Sequence, residues 1–240
     1  HGLALLEILR EKVPSLEPVA AAGLSLGEMT AHCAAGTFTF EEGLNLVARR
    51  GELMDEACEA NPGTMAAMIG GSDEDVARLA SDCDVDVANL NCPGQTVLSG
   101  KEEGIDTAVS KAKEYGLRMG KKLKVAGAYH SRLMAGAQEQ LGEALASTEF
   151  VEPSIPVVSN FLAASPEGPD AIRASLKDQV TGSVRWIESI RLLREQGNDL
   201  FIELGPGKVL AGFMARIDKE ARIISIEDAE SLEAAVAELS

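Results

Sequence analysis

The strongest chemical signal in the chain is Gly23-Leu24-Ser25-Leu26-Gly27. An apolar run, Pro18-Val19-Ala20-Ala21-Ala22, leads into it, and a helical pattern leaves it. A serine on a tight strand-to-helix turn has its hydroxyl lifted clear of the sheet, and flanking glycines permit the close backbone approach such a turn requires. The first helical N–H groups then point at any negative charge that develops beside the serine. This is the layout of a nucleophile elbow for acyl chemistry. Five residues with two glycines and a serine also occur in ordinary Gly-rich helix starts, so the remaining residues have to decide.

A serine nucleophile needs a base, and the chain has only 3 histidines. His1 is a chain end. His32 follows Ser25 on the helix leaving the elbow, about two turns or ~10 Å further along the axis, which suits packing or capping better than proton transfer. Elimination leaves His130, in Gly127-Ala128-Tyr129-His130-Ser131 at a helix start. No Asp or Glu stands out as a third member, so the group orienting this histidine is expected to be a backbone carbonyl or an amide.

The elements that must hold these residues follow from periodicity. Helical spacing of Leu44, Val47, Met54 and Cys58 runs from Phe40 to about Ala60, and Asn61-Pro62-Gly63 ends it. A strand at 64–70, a helix at 72–83, strands at 85–90 and 96–99, a helix at 101–115 and a strand at 120–125 come next. That βαββαβ order over ~60 residues is the ferredoxin-like pattern, compact enough to be an inserted unit. Helices at 131–147, 171–180, 186–196 and 208–217 then alternate with strands at 155–159, 199–204 and 222–226. Alternation of this kind predicts a mostly parallel sheet covered on both faces. The expected organisation is α/β, with a large domain over residues 1–61 and 126–240 and an insertion over residues 62–125.

Composition bounds the rest. With 240 residues, 45% of them hydrophobic and 25% charged, the chain can bury a substantial core. No apolar run approaches the ~20 residues that span a bilayer, and no signal peptide opens the chain, which points to the cytoplasm. Cys33, Cys58, Cys83 and Cys92 show neither C-x-x-C spacing nor a dense framework, so reduced thiols are expected and no metal site. A net charge of −16 argues against a nucleic-acid surface. The start at His1, already inside a helical pattern, predicts that residues precede it.

Five ordered segments now resemble the malonyl-CoA:acyl carrier protein transacylase family of acyltransferases. Gly23-Leu24-Ser25-Leu26-Gly27-Glu28 is similar to the family's GHSLGE elbow, and Ala48-Arg49-Arg50-Gly51-Glu52-Leu53-Met54 to its arginine helix. Asn91-Cys92-Pro93-Gly94-Gln95 resembles its N-x-P-x-Q turn, and Ala128-Tyr129-His130-Ser131-Arg132-Leu133-Met134 its FHSPLM segment. Glu203-Leu204-Gly205-Pro206-Gly207-Lys208-Val209-Leu210 resembles its EVGPGKVL ending. The resemblance implies an α/β-hydrolase-like domain carrying a ferredoxin-like insertion. It also implies ping-pong transfer of malonyl from CoA to Ser25 and on to the phosphopantetheine thiol of a carrier protein, with His130 as base and no cofactor. By the same resemblance the histidine is oriented by the main-chain carbonyl of Gln179, and Asn91 contributes to substrate binding.

Malonyl keeps a free carboxylate beside the reacting thioester, which a guanidinium binds bidentately. At 100° per residue Arg50 falls beside the stripe of Val47, Gly51, Met54 and Cys58, whereas Arg49 points away with Asn45 and Glu56. Arg50 is therefore the expected carboxylate ligand. Leu24 and Arg132 replace residues common in the family, without removing a catalytic atom. The family's opening GQGxQ strand, whose glutamine serves the oxyanion hole, has no match, which leaves the N–H of Leu26 as the one donor identified. A molecule confined to these residues would be slowed roughly 10²–10³-fold by one lost donor.

Carrier proteins are generally acidic, so a chain of this net charge needs a local basic surface to meet one. Residues 115–138 supply Arg118, Lys121, Lys122, Lys124 and Arg132 with no Asp or Glu, and run into His130. A solvated strand edge kept soluble by lysines has the same composition. The reading is a malonyl transferase of fatty acid or polyketide synthesis. A serine hydrolase or thioesterase shares the elbow without needing Arg50, and a catalytically silent carrier-binding module is the reading from a different class.

Overall fold

The computed structural model describes residues 1–240 as an α/β chain. Helix α1 spans Gly2–Lys12, strand β1 Ala21–Ala22, helix α2 Leu26–Ala34 and helix α3 Phe40–Ala60. Strand β2 (Thr64–Ile69), helix α4 (Asp73–Asp82), strands β3 (Asp86–Cys92) and β4 (Gln95–Gly100), helix α5 (Glu102–Lys111) and strand β5 (Met119–Lys122) follow. The chain closes with α6 (Ala135–Ser147), β6 (Val157–Val158), α7 (Pro169–Asp178), α8 (Trp186–Glu195), β7 (Leu200–Leu204), α9 (Val209–Ile217), β8 (Arg222–Ile226) and α10 (Ala229–Leu239).

Local chemistry accounts for several boundaries. Thr39 accepts the Glu42 N–H while the Glu42 carboxylate takes the Thr39 N–H, and this capping box starts α3. Ser72 and Asp75 start α4 in the same way. Helix α3 buries Leu46, Arg50, Leu53, Met54, Ala57 and Cys58, a stripe at three-to-four-residue spacing. That stripe packs against Met134, Leu141 and Leu145 and against Ile172 and Leu176 of α7, forming the largest core cluster. Arg50 is the single charge in an otherwise apolar row.

Strands β2 to β5 form an antiparallel sheet in the order β3-β4-β2-β5. Helices α4 and α5 cover one face, placing Val76, Leu79, Ile105 and Ala108 on Ala66, Met68 and Leu98. Strand β3 is irregular at Val87–Asn89 and Leu90–Cys92, and there it pairs outward. Leu90 donates its N–H to the Val184 carbonyl at 2.9 Å, and the Val184 N–H donates to the Ala88 carbonyl at 2.8 Å. The small sheet is thus joined by main-chain bonds to the segment between Gln179 and Trp186.

The expectation of one mostly parallel sheet is corrected. The remaining strands form two separate parallel pairs, β1 with β6 and β7 with β8. They are linked through side chains, including Ala22, Val158, Phe201, Met214 and Ile223, rather than through a shared ladder. Helix–strand alternation specifies parallel direction but carries no information on lateral order. Smaller differences lie at element ends: the helix expected at 131–147 opens as a 3₁₀ turn over Arg132–Met134, and the strand expected to reach 125 ends at Lys122, with one further main-chain bond from the Leu123 N–H to the Met65 carbonyl. No helix is long and apolar enough to cross a membrane.

Candidate active site

Ser25 stands between β1 and α2 with φ 54° and ψ −109°, left-handed backbone that a non-glycine residue adopts at a cost. Two features hold it there. A Cβ on Gly23 would lie 1.9 Å from the Gly27 carbonyl oxygen, so only glycine permits the chain to fold back this closely. Gly27 itself has open space around its own Cβ direction, so its side of the turn needs a near backbone rather than a missing side chain. The second is Asn160, just beyond β6, whose Oδ1 accepts the Ser25 N–H at 2.6 Å while its Nδ2 donates to the Gly23 carbonyl at 2.8 Å. At the head of α2 the Leu26 N–H makes no hydrogen bond within the chain, leaving a donor free beside the hydroxyl.

His130 also has φ 54°, and its imidazole bridges two groups. Nε2 lies 2.8 Å from Ser25 Oγ and Nδ1 lies 2.9 Å from the Gln179 carbonyl oxygen. A carbonyl only accepts, so Nδ1 carries the proton and Nε2 presents its lone pair to the hydroxyl. Burial pushes the imidazole down to about 4, the nearby Arg50 charge adds to this, and the Gln179 carbonyl opposes it. The ring is therefore neutral at pH 7, the state a proton acceptor requires. His32 is separate from this centre: it is buried, bonds Thr37 Oγ1 at 3.0 Å through Nδ1 and lies against Phe38.

Arg50 reaches the same hydroxyl from the middle of α3. It is 5% exposed, and its Nη2 donates to Ser25 Oγ at 3.0 Å and to Gln179 Oε1 at 3.2 Å. Arg49 lies on the surface and pairs with Glu52. The helical phase alone separates the two. Burial lowers the Arg50 pKa, with Glu28 and Tyr129 acting the other way, but a guanidinium stays charged at neutral pH. A cation one hydrogen bond from a nucleophilic hydroxyl can hold a carboxylate on an acyl group carried there.

Ser25, His130, Arg50 and Gln179 are brought together, and Leu26 adjoins them. Asn91 is not part of this cluster: it is buried in β3, its Oδ1 has no partner, and it bonds none of these four residues. Two members escaped sequence reasoning. Glu28 is fully buried one helical turn beyond Ser25, and its Oε2 accepts the Asn160 N–H at 2.8 Å and Gln179 Nε2 at 2.6 Å. Burial pushes its carboxyl up to about 7 against the opposing bonds from Asn160 and Gln179. It sits within the elbow motif, where it could have been questioned. Asn160 has no local signal at all. No three of the chain's His, Cys, Asp and Glu side chains converge as a metal-holding group, and the four cysteines are free thiols.

The basic stretch divides on inspection. Lys122 pairs with Glu102 and Asp106 of α5 at 2.8 and 2.7 Å, and Arg132 pairs with Asp84 and Asp86 at 2.7 Å each. Both are already neutralised by acids that lie elsewhere in the sequence. Arg118, Lys121 and Lys124 are exposed and form no ion pair. Alternation along β5 puts Lys121 on the sheet face opposite Lys122, away from α5.

Comparison with known proteins shows the family. Residues 2–234 match the acyl transferase domain family. The chain is 38% identical to malonyl CoA-acyl carrier protein transacylase of Bacillus subtilis over 98% of its own length and 75% of the relative's. It is 41% identical to a polyketide biosynthesis malonyl CoA-acyl carrier protein transacylase of the same organism, over 92% and 76% of the two chains. The solved malonyl CoA-acyl carrier protein transacylase of Coxiella burnetii superposes with a TM-score of 0.94 at 33% identity, covering 99% of this chain and 76% of that one. A malonyl-transacylase solved in complex with its type II PKS acyl-carrier protein superposes with a TM-score of 0.95 at 33% identity, over 99% and 78%. The chain belongs to the acyl transferase domain family and is an acyltransferase, similar over about three quarters of their length to malonyl CoA-acyl carrier protein transacylases.

Proposed function

We propose that this chain moves a malonyl group from malonyl-CoA to the phosphopantetheine thiol of an acyl carrier protein through an ester on Ser25. The observation that carries the reading is Ser25 Oγ sharing one site with a neutral imidazole at 2.8 Å and a buried guanidinium at 3.0 Å. A hydrolase of neutral acyl groups has no use for the second. Ser25 Oγ attacks the thioester carbonyl carbon while its proton passes to His130 Nε2. The carbonyl oxygen, now negative, faces the Leu26 N–H. The C–S bond breaks, and the CoA sulfur leaves with the proton from His130. In the second half the carrier thiol gives its proton to His130 and attacks the ester carbonyl, and Ser25 recovers the proton as its C–O bond breaks.

Arg50 holds the malonyl carboxylate during both halves, and the Gln179 carbonyl keeps His130 in the productive tautomer. The elbow and its neighbours read as an α/β-hydrolase-like domain over residues 1–61 and 126–240. The antiparallel sheet with α4 and α5 reads as a ferredoxin-like unit over residues 62–125, its strand order being the one that pattern produces. Arg118, Lys121 and Lys124 are the surface offered to the acidic carrier, now without Lys122 and Arg132. The four free thiols fit a reducing, cytoplasmic setting, and the two-step transfer calls on no cofactor.

Labelled malonyl-CoA tests the reading directly. A label on Ser25 that discharges to carrier thiol supports it, discharge to water supports a hydrolase, and no label in a folded chain supports a silent binding module. Ser25→Ala should abolish labelling.

A further inference from the structure

Glu28 is the buried ionisable group to which the transfer chemistry above gives no task. It is fully enclosed, one of its oxygens has no partner, and the other serves both Asn160 and Gln179. Burying a carboxyl with so few partners is unfavourable, and an apolar side chain would fill the space at lower cost. What the carboxyl does is oriented by what its two partners hold.

Gln179 touches three parts of the site. Its main-chain oxygen takes the His130 Nδ1–H at 2.9 Å, its Oε1 takes the Arg50 Nη2–H at 3.2 Å, and its Nε2 donates to the Ser25 carbonyl at 3.1 Å as well as to Glu28. The two ends of an amide are of equal size and opposite polarity, so packing alone does not choose between them. Turned over, the Gln179 amide would face its NH₂ toward the guanidinium and its oxygen toward the carboxyl and the Ser25 carbonyl, and all three contacts would be lost. Of the two acceptors on Nε2, Glu28 Oε2 makes the shorter bond, 2.6 Å against 3.1 Å to the Ser25 carbonyl, and it favours the orientation with the oxygen on Arg50. Arg50 is thereby held against Ser25 Oγ, where its remaining N–H groups are free for an acyl carboxylate.

We propose that Glu28 is a positioning residue for carboxylate selection: by fixing the Gln179 amide it fixes Arg50 against Ser25, so that recognition of the acyl carboxylate depends on a side chain that touches no substrate. This rests on the acyltransferase reading. A purely structural Glu28 would affect all acyl groups alike; a positioning Glu28 affects malonyl and spares acetyl.

The test compares acylation of Ser25 by malonyl-CoA and by acetyl-CoA in the full chain. Glu28→Met removes the acceptor at similar volume and should lower the malonyl-to-acetyl ratio of kcat/KM at least tenfold. Glu28→Gln retains an oxygen able to accept both bonds and should return the ratio to within about threefold of the starting chain. Gln179→Leu keeps the carbonyl that orients His130, should reproduce the lowered ratio, and provides the answer if Glu28→Met does not fold. Combining the two should lower the ratio no further, since they act in one chain of contacts. An unchanged ratio in either variant, or equal loss with both substrates, overturns the proposal. Affinity for free malonate against acetate, by calorimetry on the same variants, asks the same question without turnover. A chain that acylates with neither CoA ester therefore refutes the transferase reading, while the binding ratio still decides the role of Glu28.

Discussion

Removing the Arg50 guanidinium separates carboxylate recognition from acyl transfer, and the structure sets the size of the effect. Nη2 stands 3.0 Å from Ser25 Oγ, so a malonyl ester on that oxygen places its free carboxylate within reach of the same fork. Two unit charges ~4 Å apart at an effective dielectric near 20 attract by about 4 kcal/mol. Stripping water from the carboxylate takes back part of this, and about 2–3 kcal/mol remains, the range of hydrogen bonds to charged groups. Arg50→Ala should therefore lower kcat/KM for Ser25 acylation by malonyl-CoA roughly 30–150-fold relative to acetyl-CoA. Taking the ratio matters, because the variant also leaves Gln179 Oε1 and Glu28 without their cation, a structural cost common to both substrates. Arg50→Lys keeps the charge but loses the planar fork and should fall between, at about tenfold. Rates of acyl-enzyme formation by intact-mass measurement give the numbers. A malonyl-to-acetyl ratio unmoved by Arg50→Ala would refute the assignment, whatever happens to the absolute rates.

Acid stability offers an independent check. His130 and His32 are held down to about 4 by burial, so each contributes stability that is complete above 6.5 and lost as pH falls toward 4. Glu28, held up to about 7, acts with opposite sign: its contribution is complete below 4.5 and lost as pH rises through 7. Between about pH 7.5 and about pH 5 the histidines remove about 4 kcal/mol and Glu28 returns about 2. Urea unfolding should show a net loss of about 2 kcal/mol, close to none in His32→Gln and about 4 in Glu28→Gln; equal pH dependence in all three would contradict the burial argument. At the elbow, Gly23→Ala should lower the melting temperature and abolish Ser25 labelling because its methyl meets a backbone oxygen at 1.9 Å. Gly27→Ala, with open space, should leave stability unchanged or raise it by up to ~1 kcal/mol, and equal damage from both would show that the turn is not held by this contact. Lys121→Glu should raise KM for the carrier protein and not for malonyl-CoA, whereas Lys122→Glu, already paired with acids, should do so less; equal effects on both substrates would remove the basic surface from carrier docking.

The residues alone determined a good deal of this protein. A serine between glycines, one eligible histidine and an arginine on the apolar phase of its helix are local facts, because spacing along one element decides which side chains share a face. The order of elements was readable for the same reason. Tertiary structure alone decided what crosses between elements. Asn160 reaches the elbow from beyond β6, Glu28 on α2 meets Gln179 at the end of α7, and acids on α5 and β3 neutralise Lys122 and Arg132. The division into two parallel pairs was likewise invisible, since periodicity records which way a side chain faces and not which strand lies alongside. A hydrogen bond between distant residues leaves no spacing in either segment, so the network that holds Arg50 to Ser25 exists only once the chain has folded.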